Sequence, residues 1–290
     1  MKERGDISYS PHSRFDIISK DKRKRRTMMF AEIQEGQLHS RDKEILQIAL
    51  LAGSILTSSS AETYRVEDTM ERILALSEHQ EVDVLSLLTA LVVTITFEDK
   101  SYLTASRRIK SRFFDLYKIQ RVNEISRALT ANRMTLDEAY MDLILLSTQE
   151  KKNVYTNLMN FPFAWGFCMM GGGNILESFL AGLAAFLTVS VDFLLPKTID
   201  QTFTPAFFKT MIASFFLAFF SKIIPSVRMD PMILGSLIML FPGTTFTNGI
   251  RDMMKGDYLT AGGNLLSALA TALALAFGAG FSLLLIDWIF

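Results

Sequence analysis

Charge is spread so unevenly along this chain that its two parts cannot share one solvent. Of its 60 Lys, Arg, Asp and Glu side chains, 47 (24 basic, 23 acidic) precede residue 158, leaving 13 for the last 133 positions. Within that second part, 153–176 and 231–250 are runs of 24 and 20 uncharged residues. At a helical rise of ~1.5 Å per residue, twenty residues cover a hydrocarbon layer of ~30 Å. The chain therefore reads as an α-helical membrane protein of about five transmembrane helices preceded by a small α+β cytoplasmic domain. The expected boundaries are a disordered basic tail over 1–40, the α+β domain over 41–152 and the transmembrane domain over 153–290. Spans are expected at about 154–172, 177–195, 206–224, 231–250 and 259–288.

A net charge of zero carries no basic footprint for nucleic acid. Cys168 is the only cysteine, and His12, His39 and His79 lack ligand spacing, so neither a disulfide, a metal, a cofactor nor a catalytic residue is expected. The first forty residues contain no apolar signal segment, which leaves the N-terminal part in the cytoplasm. The cluster Lys20, Lys22, Arg23, Lys24, Arg25 and Arg26 reads as a solvated tail, or else as a contact with anionic lipid. Apolar spacing predicts a core helix over 42–57. Ser59 with Glu62 fits a capping box opening a second helix over 62–77. Its charged face (Glu62, Arg65, Glu67, Asp68, Glu71, Arg72) reads as solvated and ion-paired, with a functional role for Glu62 or Arg65 as the alternative. Alternation over 82–97 predicts a strand, turned at Glu98–Ser101 into a partner over 102–109. Helices over 117–130 and 135–148 follow, the latter opened by a Thr135/Glu138 capping box.

In the apolar part, Gly171, Gly172, Gly173 and Asn174 form a helix-to-helix turn, since no lysine follows to make a phosphate loop. Glu177 and Asp192 are ionisable groups in a span, which mark an ion pathway or lie in headgroup water. Lys209 and Lys222 are close enough to the ends of the third span to snorkel. Gly278 and Gly280 allow close packing of the last helix. Lys151, Lys152, Lys197, Arg251 and Lys255 on one side, against Lys222 and Arg228 on the other, place the N-terminal domain inside. The fourth span is interrupted. Phe241, Pro242 and Gly243 remove an amide and add flexibility mid-span, and Thr244, Thr245, Thr247 and Asn248 follow at once. Backbone groups freed at membrane depth survive only where protein or a wet cavity satisfies them, so this break reads as a substrate site. The alternative is a proline kink whose threonines bond back to the preceding turn.

Two stretches, SSSAETYRVEDTMERI (58–73) and MDPMILGSLIMLFPGTTFTNGIRDMMKGDYLTAGG (229–263), resemble the two signature regions of the threonine/serine exporter family. The resemblance extends from about Glu44 to the C-terminus and is closest to the larger, five-span subunit of the split type. It implies a multi-pass protein of the inner (cytoplasmic) membrane that exports small metabolites: threonine and serine, or a dicarboxylate such as succinate. It also implies a small partner membrane subunit, with a higher oligomer as a further possibility. Pro242, Gly243, Asn248, Arg251, Asp252, Gly256 and Asp257 fit the second signature, and Glu62, Tyr64, Arg65 and Glu67 fit the first. Thr244 and Thr245 stand where members often carry an aliphatic residue.

On this reading the hydroxyls and amide after the break bind substrate, and Arg251 and Asp252, with Asp257 beside them, gate the helix end. If export is proton-coupled, Glu177 is the first candidate carrier. The rival classes are a membrane-anchored hydrolase and a signalling scaffold built on the cytoplasmic domain. The first lacks a nucleophile elbow or triad histidine, and an anchor needs one helix rather than five.

Overall fold

A computed structural model of the 290-residue chain describes residues 40–77, 81–110, 112–149, 154–189, 191 and 203–290. Residues 1–39 of the expected basic tail, Asp192, Lys151, Lys152 and Lys197 lie outside the described residues, and Ser40, the last residue expected in the tail, already opens a helix.

The N-terminal unit is built on α1 (Ser40–Ser58), whose Ile45, Leu46, Ile48, Ala49, Ala52 and Leu56 are each at most 1% exposed. A helix apolar on nearly every side has to be covered all round. Here α2 (Thr63–Leu74), α3 (Leu116–Thr130), α4 (Leu136–Thr148) and one face of a sheet cover it. The sheet is an antiparallel meander of β1 (Glu81–Ser86), β2 (Ala90–Thr96) and β3 (Tyr102–Arg108). Along β2 the period of two puts Leu91, Val93 and Ile95 in the core. The single strand expected over 82–97 is thus two strands, folded back at Leu87–Thr89, where the Leu87 amide donates to the Ala90 carbonyl at 2.9 Å. The Thr135/Glu138 capping box is present. The Ser59/Glu62 box is not: α2 starts at Thr63, and its N-cap Glu62 makes no side-chain capping bond.

Helices occupy each of the five stretches read as spans: α5 (Val154–Met170), α6 (Ile175–Leu187), α7 (Phe203–Ile223), the pair α8 (Met229–Leu237) and α9 (Gly243–Met254), and α10 (Tyr258–Ile289). By length and composition α7 and α10 can cross a membrane, and the bent α8–α9 pair makes a third span if counted as one. The described apolar lengths of the other two, Leu158–Met170 and Ile175–Leu187, are 13 residues each, ~20 Å, short of ~30 Å. Among the described residues, two or three spans are therefore identified where five were expected.

α5 and α6 form a hairpin. Gly172 takes φ +82°, and the amides of Gly172 and Gly173 donate to the carbonyls of Met169 and Cys168, so the expected glycine turn is a Schellman end. α8 lies so close to α5 that a Cβ on Gly235 would strike Cys168 and the Ala164 carbonyl. Gly278 brings α10 equally close to α7, at the Phe207 carbonyl, whereas Gly280 faces open space. α10 spans ~48 Å at ~1.5 Å per residue, more than a hydrocarbon layer needs. Its first turns spend that excess against the N-terminal unit, and at its far end Asp287 pairs with Lys222 of α7 at 2.8 Å.

Candidate functional site

The two signature stretches, about 190 residues apart in sequence, are each other's partners in space. α9 is amphipathic and lies against the start of α2. The Asn248 amide nitrogen donates to the Ser60 carbonyl at 3.1 Å. Arg251 pairs with Glu62, whose other carboxylate oxygen is 2.8 Å from the Nε of Arg65. The Lys255 ammonium stands over the Tyr64 ring, 3.0 Å from its centroid, a cation–π contact. Asp252, 2% exposed, accepts from the Asn264 amide at 3.0 Å and from the backbone and hydroxyl of Thr63. Thr63 is the first residue of α2, so the carboxylate that caps α2 comes from α9. An anion at a helix N-terminus meets unpaired amides and the positive end of the helix dipole. This explains why Glu62 is free to hold Arg251. Arg112 completes the junction, donating to Asn264 at 3.1 Å and to the Thr57 carbonyl at 3.3 Å.

Glu67 accepts from the Ser86 amide at 3.0 Å, and Thr260 of α10 donates to the Ser86 carbonyl at 3.4 Å. Burial pushes the Glu67 carboxyl above its ordinary value, and the nearby charges of Asp257, Glu71 and Asp252 act the same way against the Ser86 bond. Asp257 sits at the N-cap of α10 without a side-chain capping bond. The residue before it, Gly256, has φ +86°. The Gly256 and Asp257 amides bond the Met253 and Asp252 carbonyls, closing α9 with a second Schellman end.

The expected interruption is present. α8 tightens into a 3-10 turn over Ile238–Leu240, the chain breaks at Phe241 and Pro242, and α9 leaves at 60°. Of the residues read as substrate-binding, Gly243 opens α9, Thr244 and Thr247 are exposed, Thr245 is half-buried, and Asn248 is engaged with the N-terminal unit. Thr247 donates back to the Gly243 carbonyl at 2.8 Å. On the other side of the break lies a cavity of about 230 Å3 lined by Asn160 of α5, Thr188 after α6, Lys209 of α7, and Ser236, Met239 and Leu240 of the broken helix.

Glu177 is fully buried and bound on several sides. It forms a capping box with Asn174 (2.7 and 2.8 Å), accepts from the Arg228 amide at 2.7 Å, and pairs with the Arg228 guanidinium at 3.3 Å. Arg228 also donates to the Gly172 carbonyl. This set of bonds ties the α5–α6 turn to the start of α8.

A family profile described as "Putative threonine/serine exporter" matches residues 47–286. The chain belongs to the threonine/serine exporter family. No curated protein and no solved structure gives a significant match. Exporters of this family move solutes rather than transform them, which leaves the hydrolase alternative without support. For a family member, the signature residues Glu62, Tyr64, Arg65, Asn248, Arg251 and Asp252 fall at the junction between the N-terminal unit and α9–α10, Pro242 and Gly243 fall at the break, and Ser236, Met239 and Leu240 of the second stretch line the cavity. Sequence reading missed Thr63, Arg112 and Asn264 at the junction and Asn160, Thr188 and Ser236 at the cavity, and it took Lys209 for a snorkelling end residue. The available signal was polarity out of place: Asn160, Lys209 and Asn264 each interrupt a predominantly apolar helix.

Proposed function

We propose that this chain exports threonine or serine from the cytoplasm through the membrane, by way of the cavity at the broken helix. The observation that supports this best is a polar cavity bordered by the very turn at which an apolar helix breaks by 60°. Breaks of this kind let dipoles of half-helices and side chains replace a solute's hydration while the path stays closed to lipid. With the N-terminal unit in the cytoplasm, α9 is a lever: one end is the Pro242 hinge, the other is held by Glu62, Thr63, Tyr64 and Ser60. Arg251 and Asp252 gate by fixing that lever. The polar residues after the break, from Thr244 to Asn248, then act on the cytoplasmic approach rather than on the deepest site.

Two or three full-length spans enclose little of a passage, and a small partner membrane protein supplies the rest of the wall in this proposal. The bonds of Glu177 favour a structural clamp. Export by Glu177→Gln that retains its full pH dependence would remove Glu177 from proton coupling. The experiment for the proposal is an efflux assay. Cells lacking the chain and loaded with a threonine- or serine-containing dipeptide should retain the released amino acid, and re-expression should restore efflux. Unchanged retention of amino acids and of succinate would refute the export reading.

A further inference from the structure

We propose that the loop 112–115 and the first turn of α3 form a lipid-binding wedge, in which Phe113, Phe114 and Leu116 enter the leaflet on the N-terminal unit's side and Arg108 and Lys110 meet anionic headgroups. The wedge depends on the membrane helices and on no particular solute, so it stands apart from the export reading. Its depth is set by α10. Thr260 meets Ser86, a Cβ on Gly263 would strike Leu88, and Asn264 accepts from Arg112, so the unit's contacts descend along that helix to Arg112. Just beyond Asn264, Leu266 and Leu269 of α10 are exposed and apolar, which requires lipid around them. α9 marks the same level: Asn248, bonded to Ser60, lies between Phe246 and Ile250, both exposed. The loop lies against that stretch. The Phe113 amide donates to the Ser58 carbonyl at 2.9 Å and the Asp115 amide to the Ser59 carbonyl at 3.3 Å.

The side chains of this loop suit an apolar phase. Phe113, Phe114 and Leu116 are 49%, 51% and 64% exposed, on a backbone tied down on both sides of Phe114. The Lys118 ammonium, on a buried side chain, stands 5.3 Å from the Phe113 ring centroid and steadies that ring. Bulky apolar groups held outward mark a surface that something else covers, and the charges around them say what. Between 107 and 118 the chain carries five basic side chains against one acid, Asp115. That carboxylate caps α3, accepting from the Lys118 amide at 3.0 Å. Arg108 and Lys110 are exposed, and neither has an acidic partner among the described residues. Arg108 pairs in register with Ala90, and the Ile109 amide bonds the Thr89 carbonyl, so both cations stand beside the turn that packs on Gly263. Phenylalanine and leucine flanked by cations, at the level where the helices meet lipid, is the pattern of a segment lying in a membrane interface. An anionic leaflet attracts such cations through its surface potential.

The test places a bimane label at Phe114→Cys in a Cys168→Ala background of the full chain, held in lipid nanodiscs so that water reaches both faces. Phe114 is exposed, so its replacement leaves the fold intact. The reference is Ala131→Cys in the same background. Ala131 is exposed past the other end of α3, next to Asn132, which shares a cavity with Arg41 at the start of α1 and Leu76 beyond the end of α2. Phosphatidylcholine brominated in its acyl chains should quench the label at position 114 and leave that at 131 bright. Equal lipid quenching at the two positions overturns the wedge. So does a label at 114 that only aqueous iodide quenches, or one that neither quencher reaches, which would show a protein cover. A second arm adds phosphatidylglycerol, which should deepen lipid quenching at 114, and Arg108→Gln with Lys110→Gln should abolish that increase. An increase that is missing, or that survives the double change, overturns the assignment of the two cations to headgroups. Neither arm measures transport, so failure here leaves the export reading standing.

Discussion

Glu62 and Arg251 form an ion pair between the N-terminal unit and the broken helix, and its energetics separate stability from function. With the Arg251 side chain 47% exposed, the pair adds only ~0–1 kcal/mol to folding. Glu62→Gln or Arg251→Gln should therefore leave protein levels intact and cut export, and the exchanged pair Glu62→Arg with Arg251→Glu should recover part of it. Efflux normalised to immunoblotted protein checks this, and equal efflux by all three forms would detach the ion pair from gating. Glu67 makes a pH prediction. Its carboxyl is raised above the ordinary value, so between that ordinary value and the raised one the folded unit holds more proton than the unfolded chain, and stability falls as pH rises through that window. Glu67→Gln keeps an acceptor for the Ser86 amide and removes the titration. Melting temperature in detergent should decline less with rising pH for the variant than for the unmodified chain.

Elements differ in how openly the sequence states them. The break at Phe241–Gly243 is legible because Pro and Gly punctuate an uncharged run, and the Thr135 cap because both its partners are local. The reversal at Leu87–Thr89 carries no Gly, Pro, Asn or Asp, so β1 and β2 read as one strand until their pairing is seen. The capping of α2 could not be read locally either, since Asp252 reaches it from α9 and displaces Glu62 from that task. Pro242→Ala restores a backbone donor at the hinge and favours a continuous helix. Export should drop while insertion persists, and undiminished export would show that the bend is not used. Gly256→Ala forces an alanine into a left-handed conformation at a cost of ~1–2 kcal/mol. That strain should loosen the α9–α10 turn, read as faster proteolysis there.

Across the whole molecule the N-terminal unit supplies the firmest packing and the membrane helices the least covered surface. Leu91 is fully buried, and Leu91→Ala should cost ~2–5 kcal/mol and release the unit's grip on α9. In the helical part, Phe215, Phe219, Leu284 and Trp288 are exposed on α7 and α10, as suits lipid or a partner's helices. The contrast between a charge-rich N-terminal part and an apolar helical part was legible from charge alone. The cavity was not, because Asn160, Thr188, Lys209 and Ser236 come from four separate elements and meet only in the fold. The central claim is that the exported amino acid occupies that cavity, and site-directed thiol protection tests it most directly. In a Cys168→Ala background, Met239→Cys places one thiol at the cavity wall for a methanethiosulfonate reagent. Threonine or serine should slow its modification in a concentration-dependent way, whereas a rate indifferent to either amino acid, in a variant that still exports them, would contradict the account.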